Sequence, residues 1–132
     1  PVLAHLGELG HDLGRALQML DDLGGLTVAA RRPKGLEDLA LGRPTWAWAW
    51  AAERAGDAEL AALQEDARRV RDGAGDVDAL RQRLAAVVAE PGRARARSAL
   101  DRASARLAER FGAAPARDQV AAEIERLGRS YG

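Results

Sequence analysis

Between Val2 and Leu23 leucine returns at positions 3, 6, 9, 13, 17, 20 and 23, with polar residues between. That spacing keeps one apolar stripe on a helix, so it predicts a first helix ended by Gly24 and Gly25. Residues 26–44 lose the period. Pro33, Gly35, Gly42 and Pro44, with the bases Arg31, Arg32 and Lys34, predict a charged loop holding one short turn at Gly-Leu-Glu-Asp-Leu-Ala-Leu. Thr45 is then placed to N-cap Trp-Ala-Trp-Ala-Trp-Ala-Ala-Glu-Arg. Asp57 is placed to cap a helix to about Asp72, and Asp76 one that Pro91 ends. A long helix is expected over 93–111, and Pro115 opens a last one to about Arg129. The sum is an all-α helical bundle of six helices, expected to form a single unit over 1–132.

Trp46, Trp48 and Trp50 alternate with alanine, which is the period of a strand, but helical sequence follows directly and the stretch is read as helix. Trp46 and Trp50 then form an i,i+4 pair, with Trp48 pointing away. Two uses fit that pair: core packing, or an aromatic wall beside an apolar or cationic ligand.

Alanine, leucine and arginine dominate and β-branched residues are scarce, which agrees with helix throughout. Twenty basic residues balance twenty acidic ones, so no global field draws the protein to nucleic acid or to an anionic membrane. The arginines at 93, 95, 97, 102, 106 and 110 spread around their helix and are interrupted by Asp101 and Glu109, the pattern of a solvated face. With no cysteine, disulfides, thiolate catalysis and cysteine-ligated zinc are excluded, and a cytoplasmic location is expected. No stretch approaches the roughly 20 apolar residues of a membrane span. His5 and His11 are six apart, off the i,i+4 spacing that joins two imidazoles on one metal. No Ser-His-Asp set, P-loop or dinucleotide fingerprint is present.

Two features of the first helix ask for a reason. Gly7, Gly10, Gly14, Gln18 and Asp21 fall within about 80° of one another at about 100° per residue. Each interior glycine costs about 0.8–1 kcal/mol against alanine, so a neighbouring helix, or a long ligand ending at Asp21, is expected to approach that backbone. Asp21 and Asp22 sit at a helix C-terminus, where the macrodipole is already negative. Carboxylates there, followed by arginines and a lysine, suit a magnesium ion bridging to phosphate oxygens.

Residues 10–22, Gly-His-Asp-Leu-Gly-Arg-Ala-Leu-Gln-Met-Leu-Asp-Asp, resemble the trans-isoprenyl diphosphate synthase (polyprenyl synthetase) helix Gly-x-x-Leu-Gly-x-Ala-Phe-Gln-x-x-Asp-Asp-x-x-Asp. Residues 32–45, Arg-Pro-Lys-Gly-Leu-Glu-Asp-Leu-Ala-Leu-Gly-Arg-Pro-Thr, resemble the loop that follows it in that family, Lys-Pro-x-Gly-x-Asp-Leu-x-x-Gly-Lys-x-Thr. The resemblance implies the C-terminal part of an isoprenoid synthase (class I terpenoid synthase-like) fold. It further implies a Mg2+-dependent prenyltransferase that ionises an allylic diphosphate and condenses it with isopentenyl diphosphate. Asp21 and Asp22 then stand at the second aspartate-rich motif as metal ligands. Gln18, Arg32, Asp38 and Arg43 match its diphosphate-binding positions.

Gly25 replaces the motif's last aspartate, and the family's first aspartate-rich motif is missing from these residues. Alone, the chain is therefore expected to be inactive, completed by a missing N-terminal half or a partner synthase subunit, and to oligomerise through exposed leucines. Two alternatives are a non-catalytic helical partner of a full synthase and a terpene cyclase of the same fold.

Overall fold

A computed structural model describes residues 2–131, with side chains from 4 to 130; Pro1 and the side chain of Leu3 lie outside the described residues. The order is α1 (Val2–Thr27), a 3-10 turn (Ala29–Arg31), α2 (Arg32–Ala40), α3 (Trp46–Arg54), α4 (Asp57–Arg71), α5 (Val77–Phe111) and α6 (Pro115–Tyr131). Among the described residues the secondary structure is entirely helical, as the leucine and alanine spacing predicts. None of these helices is long and apolar enough to cross a membrane.

Three expected boundaries are corrected. Gly24 and Gly25 do not stop α1, which continues to Thr27 with both glycines buried. The charged segment 26–44 is not mainly loop, because Arg32–Ala40 is helical with Pro33 in its first turn. Proline is favoured there, where its missing N–H has no helical partner to lose. Nor does Pro91 end a helix: α5 runs through it for 35 residues. In each case packing outweighs a local breaker. Gly25 meets the backbone of α2, and a Cβ on the buried Gly92 would lie 2.8 Å from the Trp50 ring and 3.3 Å from Leu23.

Contacts divide the chain into two compact units, one of residues 1–21 and 93–132 and the other of residues 22–92. The first has a core of small and medium side chains, with Ala16, Met19 and Leu20 of α1, Ala96, Ala99, Ala103 and Leu107 of α5, and Ile124 of α6 all buried. Gly128 of α6 leaves room for Leu100 of α5, 3.1 Å from where its Cβ would stand. The second unit is centred on Leu23, Leu26, Trp50, Leu63, Leu80, Leu84 and Val88, also buried. Trp46 and Trp50 stack there with centroids 6.3 Å apart and planes at 27°, the i,i+4 pairing expected of a helix.

Helix starts in the second unit follow the sequence in part: Asp57 is not the cap of α4 but its first residue, and Gly56, the N-cap residue, has no side chain to make a capping bond. Asp76 accepts from the backbone N–H of Asp78 at 2.9 Å and of Ala79 at 3.1 Å, the expected N-cap of α5. Gly42, at φ 64°, closes α2 by donating to the Leu39 carbonyl, while Arg43 N–H donates to that of Asp38. These are the paired bonds of a Schellman ending, which needs the left-handed backbone that glycine adopts freely.

The glycine stripe of α1 is not explained by a close neighbour. A Cβ on Gly7, Gly10 or Gly14 would meet nothing within 4 Å, and Leu6 beside them is 46% exposed. Gly10→Ala is therefore expected to stabilise the protein by about 0.8–1 kcal/mol, the intrinsic helix preference. A loss of stability in urea denaturation would show that another chain covers this face.

Candidate functional site

The sequence-derived residues are distributed over both units. Gln18 and Asp21, on α1 in the first unit, are exposed and half-buried; Asp22, Arg32, Asp38 and Arg43 belong to the second. Asp22 is half-buried, and one of its oxygens, Oδ2, accepts the backbone N–H of Trp46 at 2.8 Å. Trp46 is the first residue of α3, and the hydroxyl of Thr45, the N-cap residue, makes no capping bond. The expected Thr45 cap is thus replaced by a carboxylate twenty-four residues earlier in the chain.

Asp38 and Arg43 are brought together. The Arg43 guanidinium donates to Asp38 Oδ1 at 2.7 Å and lies 3.1 Å from Glu37 Oε1. The bond to Asp38 raises the Arg43 pKa above its ordinary value against partial desolvation, with the charges of Glu37 and Asp38 adding to the rise. The Schellman ending of α2 fixes this geometry, because it turns the backbone of residue 43 onto the carbonyl of residue 38. Glu37, which sequence reasoning passed over, helps offset the charge of Arg43. Arg32, the first residue of α2, is exposed.

Gly25, which stands where the resembled motif has its last aspartate, faces Gly35. A Cβ on Gly25 would lie 3.0 Å from Gly35 Cα, and one on Gly35 would collide with the Gly25 carbonyl, with Gly25 Cα at 2.8 Å. Both glycines are buried, and the contact brings the backbones of α1 and α2 together. A carboxylate at position 25 would push α2 away. Magnesium needs near-octahedral oxygen geometry and several well-placed donors. Here a backbone contact stands at position 25, and Asp22 Oδ2 is engaged with the N–H of Trp46.

In the first unit α1 and α5 border an open groove of about 630 Å3. His5, Glu8, His11 and Asp12 line one side, and Arg106, Arg110 and Phe111 the other. Asp12 pairs with Arg106 across it, and with Arg15 at 3.4 Å along α1. His5 Nδ1 is buried without a hydrogen bond, 3.8 Å from Glu8 Oε2. Among the described residues, no three His, Asp or Glu side chains are placed to hold one metal ion. The arginines expected on a solvated face, from Arg93 to Arg110, are all exposed; Arg102 donates to Ser98 at 2.7 Å.

Compared with family models, with curated proteins and with solved structures, the chain returns no match.

Proposed function

We propose that the chain is a non-catalytic helical partner subunit carrying isoprenoid synthase-like elements, rather than a working half of a prenyltransferase. The observation that carries this reading is the Gly25–Gly35 contact, which puts backbone where the resembled motif has a metal-binding carboxylate. Further support comes from the open glycine face of α1 and from Leu6, Leu41 and Val120, which are 46%, 59% and 41% exposed and available to a partner chain.

A second reading, part of a Mg2+-dependent trans-prenyltransferase acting on an allylic diphosphate, is favoured by one feature. The adjacent Asp21 and Asp22 are kept, with Arg32 exposed at the start of α2. Isothermal titration with inorganic pyrophosphate, with and without magnesium, separates the two. The partner reading expects no magnesium-dependent heat and no change in Asp21→Ala. Magnesium-dependent binding that falls at least tenfold in Asp21→Ala would establish the second reading instead.

A further inference from the structure

We infer that Asp22 works as an interhelical cap that holds the start of α3. The inference deepens the non-catalytic reading, yet rests on a different observation. An α-helix begins with N–H groups that have no helical partner and with the positive end of its dipole. In α3 the adjacent hydroxyl of Thr45 leaves that need unmet, and Asp22 Oδ2 accepts the Trp46 N–H at 2.8 Å. The acceptor comes from α1, so the bond also ties the first residue of α3 to that helix. Because α1 continues to Thr27, Asp22 stands more than a turn before its negative end, and its charge is set against the positive end of α3.

Substitution by asparagine separates capping from chelation, since an amide oxygen caps a helix nearly as well as a carboxylate but is a poor magnesium ligand. Thermal melts of the wild type, Asp22→Ala, Asp22→Asn and Thr45→Ala, each with and without 10 mM magnesium (about physiological order or above), test the inference. Asp22→Ala is expected to lower Tm by about 5 °C, the loss of one cap in a chain of this size. Asp22→Asn should retain most of the wild-type Tm, Thr45→Ala should match the wild type, and magnesium should move none of them. If Asp22→Ala is too unstable to melt cooperatively, hydrogen exchange at the Trp46 amide in Asp22→Asn gives the reading, with protection expected to persist. Asp22→Asn as damaging as Asp22→Ala, or a magnesium-induced rise in Tm that Asp22→Asn abolishes, would overturn the inference. Pyrophosphate binding is measured separately, so failure of the cap and failure of the non-catalytic reading show in different experiments.

Discussion

Gly35→Ala is expected to destabilise the protein by about 3 kcal/mol or more, the upper range for forcing a methyl into a packed site. The added Cβ has no free direction. It is directed at the carbonyl oxygen of Gly25, and the next atoms it meets belong to the same residue's backbone, so no side-chain rotamer can relieve the clash. Only separation of α2 from α1 makes room, and that exposes Leu39, buried one turn further along α2. Chemical denaturation should show a lower midpoint at unchanged slope, as expected when stability changes but the surface exposed on unfolding does not. An alanine accommodated at less than about 1 kcal/mol would mean that α1 and α2 do not meet through Gly25 and Gly35, and would remove the main support for the non-catalytic reading.

Arg81→Ala should cost about 2–3 kcal/mol, the scale of a charged hydrogen bond lost to a buried acceptor. Arg81 is the one charged residue buried in the core among the described residues, 8% exposed. Its Nη1 donates to the carbonyl of Leu26 in the last turn of α1 at 2.5 Å, and its Nε to Asp78 Oδ1 at 2.6 Å. A guanidinium at a helix C-terminus both satisfies a terminal carbonyl and opposes the negative end of the dipole. This bond helps α1 continue past its two glycines to a fixed end. Without it, the buried Leu26 carbonyl has lost a donor.

The pair also gives a pH dependence. Asp78 is held below its ordinary carboxylate pKa, first by the hydrogen bond from Arg81 and then by that from Gln82. Because the folded value lies below the unfolded one, the stabilisation is complete above the unfolded pKa and fades as pH falls through the folded pKa. Acid titration of stability should therefore show a shallower acid loss in Arg81→Ala than in the wild type. Equal slopes would show that Asp78 takes no part.

Helix as the only secondary structure among the described residues was legible in the chain, because leucine at helical spacing and alanine elsewhere leave no face for a sheet to bury. The Trp46–Trp50 pair and the Asp76 cap were legible for the same reason: each depends on residues within one or two turns of each other. Of the candidate residues, Asp38 and Arg43 come together as neighbours across a helix ending, a pairing that helical periodicity does not reveal because Arg43 lies beyond the end of α2. Glycine and proline, read as punctuation, misled at Gly24, Gly25 and Pro91: Gly25 packs against the backbone of Gly35, and α5 continues through Pro91 to Gly92, where Trp50 and Leu23 occupy the space a side chain would need.

What the sequence by itself determined, then, is the helical class and features such as the Asp76 cap and the Trp46–Trp50 pair, through interactions that span a few residues. What only the tertiary structure decided is that Gly25 serves the close approach of α2, that Asp22 caps α3 and that Arg81 finishes α1. Each of these joins residues ten to fifty-five positions apart. Periodicity carries no information at that range, because the partner is chosen by how two helices pack and not by what lies next along the chain.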